Sequence, residues 1–381
     1  MNDNVTNMLD KIVLYGAGIQ NFYLAWLQIK SAGLDVCFAV DRDENLQGSE
    51  IFGVKVVSLE KLRQFDSEQN EKKYTIVVTI RAHETVKDVL NSLSGLKNAY
   101  IYDYDSFFSQ AKLRYCVKDF AQMLVHLTDH CNLNCARCSH CAPLFKDNPS
   151  YLDETAFEND LKKLKSLGVK NYMFELAGGE PLLHPNAHKF PYIVKKYFPG
   201  TQVAFVTNGI LLEKMGTEFY QSCLDNNAEI WVTYYPVNFD YNQAIQRIKD
   251  KGIKIKFGNP GEAASKQKNM WRTPIRLEGD LDPAYNFEHC DVPCFLLRNG
   301  LIYPCCTAID GEFLNSHFGT HLPQLEQTGV NIHTAKSKAE LMEKVSKPAG
   351  MCSHCDIKYK NLPLPWAVSR TDLSEWVIDE G

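Results

Sequence analysis

From about Phe120 onward the chain repeats one pattern, a short apolar run followed by an amphipathic stretch. The runs are MLVHLT, KNYMFELAG, QVAFVTN, EIWVTYYP and IKIKFG. The stretches between them, ETAFENDLKKLKSLG, NAHKFPYIVKKYF, LLEKMGTEFYQSCLDNN and NQAIQRIKDKG, carry apolar residues at three- and four-residue spacing, the signature of helices with one buried face. Strand–helix units in a row predict a parallel sheet, and five of them predict a barrel or partial barrel. We assign residues 118–280 to a partial (β/α)6 barrel. Such barrels carry their chemistry at the C-terminal ends of the strands. The chemically distinctive strings of this chain all fall at that edge.

Residues 11–104 alternate in the same way but in shorter units. KIVLYGAG reads as a buried strand and a tight glycine turn, and IQNFYLAWLQIKSAG as an amphipathic helix ending at a glycine. DVCFAVDRD is a second strand reaching Asp41, and YTIVVTI and NAYIYDYD follow, with a helical stretch near Glu84–Leu93 between them. The alternation predicts a doubly wound, Rossmann-like α/β domain over residues 1–110, with 105–117 as a connector. Gly16-Ala17-Gly18 and Asp41 have the outline of a dinucleotide fingerprint, but Asn21 stands where its third glycine belongs. Two readings follow: a nucleotide or nucleotide-sugar phosphate resting on the helix N-terminus, or a module that has lost its ligand and serves as a docking surface.

At the end of the first barrel strand, HLTDHCNLNCARC presents Cys131, Cys135 and Cys138 in a C-x3-C-x2-C spacing. Three thiolates on one short loop can hold three corners of an iron–sulfur cube. A cubane used for electron transfer normally has four protein thiolates, so three leave one iron for a substrate or cofactor. The chain has 13 cysteines, yet at 381 residues it is far longer than most disulfide frameworks. It begins MNDNVTNMLDK, with no basic and apolar targeting signal, and has no apolar run near 18 residues. A cytoplasmic, reducing location and no membrane partner are expected. In that setting clustered cysteines bind metal or do chemistry. Zinc is the competing occupant, although zinc sites favour C-x2-C pairs joined to a distant second pair. A net charge of −5 provides no basic field for nucleic acid.

The cysteine loop is followed by Gly178-Gly179-Glu180-Pro181 after the second barrel strand and Thr207-Asn208-Gly209 after the third. Over roughly Phe120–Phe257 this series resembles the radical S-adenosylmethionine superfamily. The resemblance implies a 4Fe–4S cluster on Cys131, Cys135 and Cys138, with S-adenosyl-L-methionine chelating the open iron and yielding a 5′-deoxyadenosyl radical that abstracts hydrogen. It implies that Gly178 and Gly179 let the backbone approach the methionine moiety. Glu180 would accept a hydrogen bond from its ammonium, and Thr207 and Asn208 would contact the ribose or carboxylate. Arg137 stands where the superfamily usually has an aromatic residue near the adenine, and its guanidinium plane can stack on a purine. Cys141 would overfill the site and is not assigned as a ligand. The string CNLNCARCSHCAP is similar to a subgroup found beside polysaccharide genes.

Beyond the barrel, Cys290 is followed by nine residues, Gly300, four residues and Cys305, and later by Cys352 and Cys355 in MCSHCD. This pattern is similar to the twitch auxiliary-cluster domain of some radical S-adenosylmethionine enzymes. It implies one auxiliary 4Fe–4S cluster, since the fuller SPASM version carries further cysteines after its C-x2-C pair. We assign residues 285–365 to this domain and 366–381 to a C-terminal tail. Zinc is an alternative here too. FLLRNGLIYP suits a hairpin that brings its flanking cysteines together. Cys294 and Cys306 are surplus: either can replace a ligand, pack as a thiol, or donate hydrogen to a substrate radical. Cys37, Cys116 and Cys223 read as packing residues. Candidate catalytic contacts are Cys294, Cys306, Tyr234 and Arg298, with Tyr235 and Arg276 also near the barrel mouth.

The leading expectation is an oxidoreductase or epimerase acting on a sugar, nucleotide-sugar or aminocyclitol in cell-surface glycan or related biosynthesis, reduced by a flavodoxin or ferredoxin. The runner-up is a peptide-modifying enzyme or maturase, for which no winged-helix leader-binding domain is legible. An electron carrier or sensor does not explain a three-cysteine site facing a glycine–glutamate string.

Overall fold

The four apolar runs of the first segment all become strands. In the computed structural model, which describes residues 11–69, 74–80, 83–258, 260–271, 275–290, 294–359 and 362–378, this unit contains β1 (Ile12–Tyr15), α1 (Ile19–Ser31), β2 (Val36–Val40), β3 (Glu50–Ile51), β4 (Val54–Val57), α2 (Leu59–Ser67), β5 (Tyr74–Val78), α3 (His83–Leu93), β6 (Ala99–Asp103) and α4 (Tyr104–Ala111). Its sheet runs β3-β4-β2-β1-β5-β6, parallel except where β3 meets β4. The order turns back at β1, the switch point of a doubly wound sheet. α1 ends at Gly33, whose φ of 74° allows the left-handed turn that stops a helix.

Two features of this unit depart from expectation. The pair β3–β4 and helix α2 were not foreseen. The connector over 105–117 is helical: Asp103 caps α4 by accepting from the Ser106 N–H at 2.9 Å, and Phe107 and Phe108 bury its inner face. At the β1 turn, Ala17 N–H donates to Asp41 Oδ2 at 2.6 Å and Asp43 N–H to Oδ1 at 2.9 Å. Asp41 therefore spends its carboxylate on the protein's own backbone.

The chain divides after Asp119 into two compact units. The second contains β7 (Met123–Thr128), α5 (Glu154–Ser166), β8 (Met173–Gly178), α6 (Lys189–Tyr197), β9 (Gln202–Thr207), α7 (Thr217–Asp225), β10 (Glu229–Thr233), α8 (Tyr241–Asp250) and β11 (Ile255–Gly258). These five strands lie side by side in parallel, in chain order. α7 starts later than its sequence pattern suggests, because Gly216 separates it from a short turn over Leu212–Lys214.

The C-terminal part follows with α9 (Pro260–Ser265), β12 (Asn269–Trp271), α10 (Pro283–His289), β13 (Phe295–Arg298), β14 (Leu301–Tyr303), α11 (Asp310–Phe318), α12 (Leu325–Thr328), β15 (Val330–Asn331), α13 (Lys338–Val345) and β16 (Pro363–Pro365). A sixth parallel strand is present, but it is β13 and it pairs with β7, not with β11. The hairpin β13–β14 turns through Asn299 and Gly300 at φ 50° and 74°, as a two-residue turn with both central residues left-handed requires. The barrel sheet thus continues directly into the cysteine-bearing hairpin, and both belong to one compact unit. Residues 366–378 are no free tail. Trp376 is fully buried among Leu124, Ala177, Leu296 and Ile309, residues from both the barrel and the hairpin region.

Candidate functional site

Three thiols open onto one cavity. Cys131, Cys135 and Cys138 line a space of about 150 Å3, opposite Gly178, Gly179, Thr207 and Asn208. Each thiol already meets a hydrogen-bond donor. Leu133 N–H lies 3.3 Å from the sulfur of Cys131, the indole N–H of Trp366 lies 3.0 Å from that of Cys135, and the backbone amides of His140 and Ala142 serve Cys138. Burial pushes all three thiols up, Cys135 to about 11. Neutral thiols with donors aimed at sulfur suit a soft, positively charged occupant that can strip their protons. Among the described residues no three His, Cys, Asp or Glu side chains close on one point as a single ion needs. The donor set around the cavity fits an iron–sulfur cluster.

The glycines have a different first duty from the one expected. A Cβ on Gly178 would stand 2.2 Å from the Thr128 carbonyl oxygen, and one on Gly179 would stand 2.0 Å from that of His130. Both glycines let the end of β8 press against the backbone that leads into the cysteine loop. Gly179 N–H donates to Thr128 O at 2.8 Å and Glu180 N–H to His130 O at 3.0 Å. Gly178 also needs its φ of 117°.

Glu180 does not line the cavity. Its carboxylate accepts from the Thr207 hydroxyl at 2.6 Å, the Asn208 N–H at 2.9 Å and the Leu182 N–H at 3.1 Å. Its observed role is to pin the end of β9, from which Asn208 reaches Asn132 Oδ1 at 2.7 Å and stands 3.7 Å from the Cys131 sulfur. Burial pushes the Glu180 carboxyl up to about 7 from an ordinary value of 4.5, against three donors that favour the charged form. A raised carboxyl binds its proton more tightly in the folded chain, so its stabilising contribution is full at low pH and lost as pH rises through about 7. Glu180→Gln removes this titration. The stability advantage of the wild type over Glu180→Gln, read by thermal unfolding, is expected to shrink between about pH 5 and pH 8. An advantage that stays constant across the window would reject the titration.

The other residues singled out in the sequence fall into three places. Arg298 forms a bidentate pair with Asp129, at 2.6 and 2.7 Å, and does not line the cavity. Tyr234 packs against Tyr241 and Phe257, while its neighbour Tyr235 lines the cavity together with Met270. Arg137 donates from Nη1 to the Pro365 carbonyl at 3.4 Å and does not line the cavity. Thr207 and Asn208 line the cavity.

The distal cysteines separate into two groups. Burial pushes the thiol of the half-buried Cys305 up, and Cys352, Cys290 and Cys355 stand near enough to raise it further. Asn286 holds the backbone of Cys352 at 2.8 Å. Cys306 turns away from its neighbour to meet Cys294, with the sulfurs 2.8 Å apart. Both pack against the apolar core around Leu296 and Ile309. All thirteen cysteines are thiols.

Asp129, Met270 and Trp366 escaped the sequence reading, whereas Tyr235, placed there at the barrel mouth, does line the cavity. For Asp129 a signal existed, since it lies two residues before Cys131. For Trp366 there was none, because its partner is 231 residues away.

No family profile matches the chain. It is similar to the antilisterial bacteriocin subtilosin biosynthesis protein AlbA of Bacillus subtilis, 29% identical over 161 residues, covering 38% of this chain and 33% of that protein. It is also similar to a GTP 3′,8-cyclase of Staphylococcus epidermidis, 32% identical over 123 residues, covering 30% of this chain and 34% of the cyclase. The chain thus spans about a third of the length of these curated relatives. Among solved structures it is similar to BtrN in complex with AdoMet and 2-DOIA, with a TM-score of 0.38 and 14% identity, covering 64% of this chain and 98% of that one. Among the described residues no helix is long and apolar enough to cross a membrane.

Proposed function

We infer, from a barrel whose curated relatives are radical S-adenosylmethionine enzymes, that this chain is such an enzyme and that it oxidises or epimerises a small hydroxylated substrate. The class proposed is a sugar, a nucleotide-linked sugar or an aminocyclitol, in cell-surface glycan or related biosynthesis. The observation that carries the reading is the single cavity shared by Cys131, Cys135 and Cys138 with Gly178, Gly179, Thr207 and Asn208.

Enzymes of this kind use a 4Fe–4S cluster and S-adenosylmethionine, which when bound supply hydrogen-atom abstraction. Cys131, Cys135 and Cys138 would hold three irons and leave the fourth open. The backbone of Gly178 and Gly179 and the side chains of Thr207 and Asn208 would orient S-adenosylmethionine, with Glu180 keeping the last two in position. Tyr235 and Met270 would narrow the cavity and exclude water. Cys290, Cys305, Cys352 and Cys355 would hold one auxiliary cluster as an electron acceptor. In an epimerase Cys294 or Cys306 would donate the hydrogen, from outside the lining of the loop cavity. Tyr234 and Arg298, engaged elsewhere, support neighbouring residues in this reading. The reductant is a flavodoxin or ferredoxin.

The glycine turn after β1, at the switch point of the first unit's sheet, supports a nucleotide-linked substrate. Similarity to the subtilosin biosynthesis protein favours a second reading, a peptide substrate. One experiment separates them. The reconstituted, reduced protein is incubated in deuterated water with nucleotide-sugars, aminocyclitols or peptides, and 5′-deoxyadenosine is measured. A product carrying solvent deuterium on a ring carbon identifies epimerisation, and a new carbonyl identifies oxidation. Turnover on peptides alone would reject the carbohydrate reading.

A further inference from the structure

The C-terminal segment is built into the cysteine loop. β16 pairs antiparallel with β12, and Trp366 N–H donates to the Lys268 carbonyl at 2.8 Å. On its other side the segment pairs with the loop itself: Ala136 N–H donates to Ala367 O at 2.9 Å, Ser369 N–H to Asn134 O at 2.8 Å, and Asn134 Nδ2 to Ser369 O at 3.2 Å. Farther on, the Trp376 indole donates to the Cys138 carbonyl at 2.9 Å. Residues 363–376 therefore form a strap that is hydrogen-bonded along both edges where it crosses the cysteines. This double anchorage aims the Trp366 indole N–H at the sulfur of Cys135, 3.0 Å away.

That donor is the shortest side-chain contact at the loop sulfurs. Cys138 takes N–H groups from the loop's own backbone, and Cys131 takes the Leu133 N–H, with Asn208 Nδ2 farther off at 3.7 Å. The donor to Cys135 is a side chain from a remote segment, so it can be present or absent without altering the loop. An N–H directed at a ligand sulfur stabilises the extra negative charge of a reduced cluster, and such bonds are among the factors that set cluster potentials.

We propose that Trp366 is a positioning and tuning residue for the cluster on Cys135, and that its indole N–H raises the reduction potential of that cluster. The strap also runs on to Val377, which bridges Ile275, and Ile275 in turn bridges Cys355 of the distal cysteine group. The segment that tunes the first cluster is thereby hydrogen-bonded, through one residue, to the backbone of the second cysteine group.

The inference rests on the reading that Cys135 ligates a cluster, and the test keeps the two apart. Iron is first counted in a protein whose distal Cys352 and Cys355 are alanine, so that only the loop cluster remains. A protein that holds no iron there refutes the cluster reading itself. With the cluster present, Trp366→Phe keeps an aromatic ring and deletes the donor. Its midpoint, followed by spectroscopic titration with dithionite and mediators, is expected to move to a more negative value at unchanged iron content. An unshifted midpoint would overturn the tuning role. Should Trp366→Phe fail to load iron, protein labelled with 15N at the tryptophan indole gives the same answer without a substitution. The reduced cluster is expected to show a 15N coupling in pulsed electron paramagnetic resonance, and its absence overturns the proposal.

Discussion

Replacing Cys131, Cys135 and Cys138 together by alanine is expected to cut bound iron from about eight to about four per chain, on the count of four per cubane, and to abolish reductive cleavage of S-adenosylmethionine. The fold should survive the change. The loop is held by backbone bonds that involve no sulfur: Ala136 to Ala367, Ser369 to Asn134, and Gly179 and Glu180 to the carbonyls of Thr128 and His130. The reciprocal variant, with Cys290, Cys305, Cys352 and Cys355 changed to alanine, should also lose about four irons. It should still cleave S-adenosylmethionine, because those thiols do not line the loop cavity. Iron analysis and chromatography of 5′-deoxyadenosine read both variants. Cleavage that persists without the loop cysteines would refute the site, and iron unaltered by the distal variant would refute the auxiliary cluster.

The part of this site that was legible in the sequence is the part that is local. The strands β7 to β9 end at or within one residue of the ends of their apolar runs, whereas β10 stops at Thr233, three residues short. The three motif strings follow β7, β8 and β9 in order, because strand period and turn residues are written within a few neighbours. Gly33 and Gly300 were legible for the same reason: each takes a left-handed backbone that its position in a turn demands. What remained hidden is what spans distance. The pairing of β13 with β7 joins residues some 170 positions apart and has no local mark. Cys305 and Cys306 are adjacent in sequence, and only packing sends one toward Cys290, Cys352 and Cys355 and the other toward Cys294. Glu180 was read as a cofactor contact because its neighbours suggested one. Its three donors, two of them from the end of β9, become visible only when β8 and β9 stand side by side. Residues 366–381 were assigned to a tail, but residues 366–378 take their order from partners elsewhere in the chain.

Asp129→Asn is expected to destabilise the second unit by about 3 kcal/mol, the range for breaking one side of a buried ion pair. The side chain of Asp129 is 2% exposed and that of Arg298 is 19% exposed, so solvent screens the pair weakly. Arg298 donates twice to the carboxylate, Ser150 Oγ donates a third bond at 2.5 Å, and His126 Nδ1 stands 3.5 Å away. Burial alone would raise the Asp129 carboxyl, but His126 and Arg298 outweigh it and hold the group well below the usual carboxylate range. A depressed carboxyl contributes fully above its unfolded value and loses that contribution only as pH falls through the folded one, so at neutral pH the pair is at full strength. The asparagine variant leaves the half-buried Arg298 guanidinium, which also lies over Phe313 at 5.2 Å, beside a neutral partner. Arg298→Leu should cost a similar amount, and the double variant should cost less than the two together, with a coupling of about 1 kcal/mol or more by chemical denaturation. Additive losses would mean that the pair is not a unit. The functional consequence follows from position. Asp129 sits two residues before Cys131 at the end of β7, and Arg298 ends β13 beside the hairpin turn. Their pair fastens the entrance of the cysteine loop to the strand that leads into the distal cysteines. Asp129→Asn is therefore expected to lower iron occupancy at the loop site more than at the distal one, where Cys305 keeps its own neighbours.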